Sequence, residues 1–133
     1  MLETKSFDEV LKRFRDIKFH EDFDLIVAIA NGGIIPAAII NQRLNIEYRL
    51  LKINLRDINQ KAIFEIPKLI SPIDFDFRDR TILLVEDRIK TGATINFAIS
   101  LLQKAKQIKT FAVNGNADYA LYNESCFKFP WIL

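Results

Sequence analysis

Two unbroken apolar runs constrain this chain more than any other feature. Leu25-Ile26-Val27-Ala28-Ile29-Ala30, entered from Asp24, and Ile82-Leu83-Leu84-Val85, entered from Thr81, contain no polar side chain. A strand with one wet face alternates apolar and polar residues, so runs like these mark strands buried on both faces. Glycine follows each run, at Asn31-Gly32-Gly33 and at Thr91-Gly92, and each glycine loop leads into a segment of helical period. After the first, Ile34-Ile35-Pro36-Ala37-Ala38-Ile39-Ile40 to Leu44 places proline near a helix start. After the second, Ile95, Ala98, Ile99 and Leu102 form the apolar stripe of a helix expected to reach about Lys106. Strand, glycine turn and helix, met twice, predict an α/β fold with a mostly parallel central sheet flanked by helices.

The remaining segments fit that frame. Ser6-Phe7-Asp8-Glu9 has capping-box spacing, and Phe7, Val10, Leu11 and Phe14 carry a first helix to about Ile17. Ile46 to Leu55 largely alternates and completes a β-α-β unit, whose crossover is expected to be right-handed. Ile108 to Val113 supplies a further strand, and the Asn114-Gly115-Asn116 turn leads into an aromatic tail from Tyr119 to Trp131. Arg56 to Asp79, with Pro67 and Pro72, lacks a sustained period. A loop of that length in a compact domain is commonly a lid or binding loop.

Composition narrows the function. A chain of 133 residues holds enough core for one domain, expected over 1–133. The net charge of +2 comes from 19 basic and 17 acidic residues interspersed along the chain, which gives no basis for a nucleic-acid partner. Cys126 and His20 are the only cysteine and histidine, so an internal disulfide and a cysteine- or histidine-rich metal site are excluded. The amino terminus lacks the pattern of a signal peptide and no apolar stretch approaches the ~20 residues needed to span a bilayer, so a cytoplasmic location with no membrane partner is expected.

Chemistry concentrates after the second apolar run, in Val85-Glu86-Asp87-Arg88-Ile89-Lys90-Thr91-Gly92-Ala93-Thr94. Ligands of open α/β sheets bind beyond the carboxyl ends of the strands. There, amides at a helix start and the hydroxyls of Thr91 and Thr94 can donate to a phosphate, Gly92 permits close approach, and Glu86 and Asp87 can accept from sugar hydroxyls. A plain capped strand-to-helix turn would use the same residue types.

Ile82 to Thr94 resembles the phosphoribosyl pyrophosphate (PRPP) signature of the type I phosphoribosyltransferases: four apolar residues, two acids, three variable positions and a Thr-Gly-x-Thr-like loop. Ile29 to Ala37 is similar to the family's pyrophosphate loop. Asp118-Tyr119 and Phe127-Lys128-Phe129-Pro130-Trp131 are similar to the closing segment of its xanthine-guanine and hypoxanthine branch, which forms a small C-terminal hood over the purine. The resemblance implies transfer of 5-phosphoribosyl from magnesium-bound PRPP to a nucleobase, with release of pyrophosphate, in nucleotide salvage. It implies catalytic and metal-binding roles for Glu86 and Asp87, and a 5-phosphate cradle of Lys90, Thr91, Gly92, Ala93 and Thr94. Pyrophosphate would fall to Asn31, Gly32 and Gly33, the base to Phe127 and the Val113 position, and the lid to Arg56 and Lys61. A homodimer is also implied.

Three positions depart from the purine pattern. Lys90 stands where the branch usually has a proton-exchanging aspartate, Val113 where it has a lysine for the purine 6-oxygen, and Asn31 where many members have a cation. These losses keep open a second expectation, a non-catalytic or regulatory PRPP- or nucleotide-binding protein of the same fold. Arg88, also unusual, is expected to pair with Glu86 or Asp87, or to reach the pyrophosphate.

Overall fold

The computed structural model describes residues 3–54 and 67–133. In chain order these form β1 (Glu3–Thr4), α1 (Phe7–Asp16), β2 (Leu25–Ala30), α2 (Ile34–Leu44), β3 (Glu47–Asn54), β4 (Lys68–Leu69), β5 (Thr81–Arg88), α3 (Ala93–Leu101), β6 (Gln107–Asn114), β7 (Tyr119–Tyr122) and β8 (Phe127–Lys128). The main sheet runs β4-β3-β2-β5-β6-β7. Every pairing in it is parallel except the short β3–β4 ladder. The α/β fold with a mostly parallel central sheet is therefore as the two apolar runs required.

Those runs are the sheet's centre. Successive strand residues face opposite sides, so each run serves two cores. Ile26 and Ala28 of β2, with Leu83 and Val85 of β5, face a core that also contains Val10 and Phe14 of α1, Ala37 and Ile40 of α2, and Phe127 and Phe129. Leu25, Val27 and Ile29, with Ile82 and Leu84, face the other, closed by Ile95, Ala98 and Leu102. One polar residue in either run would be stranded in one of these cores.

Local signals explain the helix starts. The Ser6 hydroxyl accepts from the Glu9 amide at 3.1 Å, the bond the capping spacing anticipated. Pro36 lies in the first turn of α2, where its missing N–H breaks no helical bond. The end of α3 differs from expectation: it stops at Leu101, not near Lys106. Residues after it turn back so that the Lys106 and Gln107 amides donate to the Arg80 carbonyl, aligning the starts of β5 and β6.

Two further differences bear on the site. β5 does not end at Val85; its ladder with β6 continues to the pair Arg88–Asn114, so the acid pair belongs to the strand. The described part of the expected lid, from residue 67 on, packs against the sheet: Leu69, Ile73, Phe75 and Phe77 lie on the second core. Arg56 and Lys61 lie outside the described residues. A small second sheet joins the chain's two ends, with β1 parallel to β8 in the register Glu3–Phe127. No described helix is long and apolar enough to cross a membrane.

Candidate active site

β2 and β5 are hydrogen-bonded neighbours, so the loops leaving their carboxyl ends emerge side by side. The loop after β2 begins with a cis Ala30–Asn31 peptide and runs through Gly32 to Gly33, which precedes α2. Both glycines are explained by what they touch. A Cβ on Gly32 would lie 2.6 Å from Asp87 Oδ1, and one on Gly33 would lie 2.3 Å from the Val85 carbonyl oxygen. The loop is thus pressed directly on β5 and its acid pair.

This closeness uses some of the amides expected to face a ligand. The Gly33 N–H donates to the Ile29 carbonyl at 2.8 Å and that of Ile34 to Asn31 at 3.1 Å. Those of Asn31 and Gly32 have no partner among the described residues. Asn31 is exposed and Gly32 half-buried.

The loop after β5 curls around a cleft of about 330 Å³ lined by residues 86 to 95. Gly92 has φ +84°, a left-handed conformation that glycine adopts without penalty, and it starts α3. The Thr91 hydroxyl accepts from the Ala93 amide at 3.2 Å, so it braces the turn as well as facing the cleft. Lys90 is exposed at the rim, and Ala93 and Thr94 are half-buried.

The acid pair dominates the electrostatics. The Asp87 amide donates to Glu86 Oε1 at 3.0 Å and the Arg88 amide to Asp87 Oδ1 at 2.6 Å. Burial, and secondarily the Asp87 charge beside it, pushes the Glu86 carboxyl up to about 9. Near neutral pH the pair therefore holds a proton. No described lysine or arginine forms an ion pair with either acid. An arriving cation would meet two carboxyl groups that no described ion pair already occupies, with Arg88 and Lys90 elsewhere in the cleft lining.

Among the described residues no cluster of three or more potential metal ligands exists. Two adjacent carboxyls suit magnesium, which typically keeps several waters and completes its shell with substrate phosphates. The donor set would be poor for a metal caged wholly by protein.

Several expected roles need correction. Val113 and Phe127 are fully buried in the first core, so neither side chain has surface to offer a base. Arg88 forms no ion pair with Glu86 or Asp87; its Nη2 donates to the Phe127 carbonyl at 2.7 Å and its guanidinium lies 4.8 Å from the centre of the Phe129 ring. Asp118 also has a structural partner, accepting from the Thr110 amide at 2.8 Å and hydroxyl at 3.0 Å. Asn114, unremarked in the sequence except as a turn residue, is buried and hydrogen-bonded to the Glu124 backbone. A polar residue closing the apolar run Phe111-Ala112-Val113 was the available signal.

Comparison with known proteins agrees with the fold. The family model described as phosphoribosyl transferase domain matches residues 5–129. A xanthine-guanine phosphoribosyltransferase from Idiomarina loihiensis is 26% identical over 119 residues, spanning 84% of this chain and 72% of that protein. The crystal structure of a purine phosphoribosyltransferase from Pyrococcus horikoshii superposes with a TM-score of 0.80 at 26% identity, covering 96% of this chain and 91% of that one. A hypothetical protein from Neisseria gonorrhoeae, crystallised with bound ppGpp, shares the fold at a TM-score of 0.75 and 17% identity, over 98% and 90% of the two chains. With the phosphoribosyl transferase domain matched over nearly its whole length, at residues 5–129, the chain belongs to the phosphoribosyl transferase domain family.

Proposed function

We propose that the protein transfers 5-phosphoribosyl from magnesium-bound PRPP to a purine-like base, releasing pyrophosphate. The observation that carries this reading is the contact between Gly32 and Asp87, which makes one site of the two loops. PRPP has three parts to hold: a 5-phosphate, a ribose diol and a pyrophosphate. The site offers a separate group for each.

Thr91, Gly92, Ala93 and Thr94 bring backbone amides and hydroxyls to the 5-phosphate at the amino end of α3, and Lys90 adds a positive charge at the rim. Glu86 and Asp87 accept from the ribose hydroxyls. Asn31 and Gly32 donate their amides to the pyrophosphate. When bound, magnesium supplies charge neutralisation for the departing pyrophosphate, held by Glu86 and Asp87. As the glycosidic bond breaks, positive charge grows on the ribose, and the nearby Asp87 carboxylate stabilises it electrostatically. Asn31 carries no charge, so more of the pyrophosphate's neutralisation rests on the ion than in members with a cation there.

Purine acceptors are favoured by the purine-specific relatives. Such an enzyme serves nucleotide salvage. The lone cysteine fits a reducing cytoplasm, and the exposed Ile35 on the outer side of α2 gives a homodimer an apolar surface to use. One observation supports a second reading, nucleotide binding without transfer: the cleft presents Lys90 and no third carboxylate to take a proton from the base. Incubation with PRPP, magnesium and hypoxanthine, guanine, xanthine, adenine, uracil or orotate separates the two. Pyrophosphate release with a purine supports transfer, whereas PRPP binding with no release from any base favours the second reading.

A further inference from the structure

β5 lies between β2 and β6 in the sheet, so the loop that leaves it is flanked on both sides. On the β2 side, Gly32 rests on Asp87. A second glycine makes the matching contact on the β6 side. A Cβ on Gly115 would lie 2.7 Å from the Ile89 carbonyl oxygen, 2.8 Å from its Cβ and 2.9 Å from its amide nitrogen. The turn after β6 is thus seated on the backbone of Ile89. The Ile89 N–H also donates to the Asn114 carbonyl at 3.0 Å, one residue past the last β5–β6 register pair, Arg88–Asn114.

Neither partner is free to give way. Gly115 is buried, and its N–H donates to the Tyr122 carbonyl at 2.9 Å, which ties it to β7. Ile89 packs its side chain against the second core. Ile89 lines the cleft of residues 86–95 and Gly115 does not, so any influence of Gly115 on a ligand passes through Ile89. Lys90 and Thr91 follow Ile89 directly, and Gly92 starts α3.

We infer that Gly115 is a positioning residue for the 5-phosphate cradle: by backing Ile89 it fixes where Lys90, Thr91 and the amides after them meet the ligand. The inference rests on the proposed assignment of residues 90–94 to the 5-phosphate. It adds the turn after β6 to the two loops of the site, in a role made of backbone contact alone. Ordinary contact starts at 3.4 Å, so a methyl at position 115 must displace Ile89 by roughly 0.7 Å. The atoms it meets are mainly backbone, which cannot rotate aside as a side-chain tip can.

The test compares Gly115→Ala with wild type by calorimetric affinity for two probes. Ribose 5-phosphate needs the cradle, whereas pyrophosphate with magnesium falls to the loop after β2 and the acid pair. Gly115→Ala should weaken ribose 5-phosphate on the order of tenfold or more and magnesium pyrophosphate by no more than about threefold. A purely structural role would lower the fraction of folded protein and leave the ratio of the two affinities unchanged. Should Gly115→Ala not fold, the coupling is read in wild type from its reciprocal, because a ligand held by the cradle must steady the contact that positions it. Saturating ribose 5-phosphate should then slow amide hydrogen exchange at Ile89 and Gly115 more than saturating magnesium pyrophosphate does.

Unchanged ribose 5-phosphate affinity in Gly115→Ala, equal weakening of both probes, or wild-type exchange at Ile89 and Gly115 that ribose 5-phosphate leaves unaltered would overturn the inference. Failure of wild type to bind ribose 5-phosphate would overturn the cradle assignment and the inference with it, an outcome told apart because it appears before any substitution is made.

Discussion

Gly32→Ala perturbs the contact on which the functional reading stands. The new methyl would sit 2.6 Å from Asp87 Oδ1 and 2.7 Å from its Cγ and Oδ2, whereas ordinary contact starts at 3.4 Å. The carboxyl or the loop must therefore retreat by roughly 0.8 Å. Asp87 can do so by rotating a side-chain tip, and Gly32 is not among the glycines with left-handed φ. The fold should thus lose no more than about 1 kcal/mol. The site has less latitude, because a misplacement near 1 Å costs on the order of 100-fold in a positioned reaction. We expect Gly32→Ala to keep its thermal midpoint within a few degrees while losing on the order of 10- to 100-fold in magnesium-PRPP affinity or turnover. Calorimetric titration and a circular-dichroism melt give both quantities. Repeating the substitution in Asp87→Ala removes the atoms the methyl would strike, so there it should add little. Wild-type binding by Gly32→Ala, or an equal loss in both backgrounds, would refute the reasoning.

Gly33→Ala should behave oppositely. Its methyl would meet the Val85 and Ile29 carbonyl oxygens at 2.3 and 2.9 Å, backbone that cannot rotate away, so urea unfolding should show a loss of about 1–3 kcal/mol or more. Glu86→Gln should alter the pH dependence of stability in the metal-free protein. Because the folded carboxyl titrates near 9 and the ordinary value is 4.5, the folded state holds the extra proton between them and wild-type stability falls as pH rises through that window. The glutamine variant should lack this decline, which urea unfolding across a pH series will reveal. Arg80→Met is a control at the opposite end of the sheet: it removes bonds to Asp24 and Glu47 at a partly exposed site, so it should cost about 1 kcal/mol and leave PRPP affinity unchanged.

The sheet was legible because double burial leaves a one-dimensional trace. β2 and the apolar part of β5 can be read without knowing their neighbours. The continuation of β5 through Glu86, Asp87 and Arg88 could not be, since polar residues there reflect a strand end open to ligand while the ladder with β6 still holds. α3 was overextended for a similar reason: no glycine or proline stands between Leu101 and Lys106, and the turn is set by bonds to Arg80, distant in sequence. β1 and β8 are too short to show a period. Within the site, residue types in order gave the cleft of residues 86–95. They could not show that Gly32 rests on Asp87, that Phe127 is buried, or that Arg88 reaches across 39 positions to a carbonyl. Those are facts of packing between loops, and neither loop's sequence contains the other.

The central claim is that the loops after β2 and β5 hold PRPP together through the acid pair. Titration of PRPP with magnesium into wild type and into the Glu86→Gln, Asp87→Asn double variant tests it most directly. The account predicts magnesium-dependent binding in wild type, weakened on the order of 100-fold or more in a double variant that keeps its fold, as one carboxylate and one proton-sharing carboxyl partner are lost together. Equal affinity in the two proteins would contradict it.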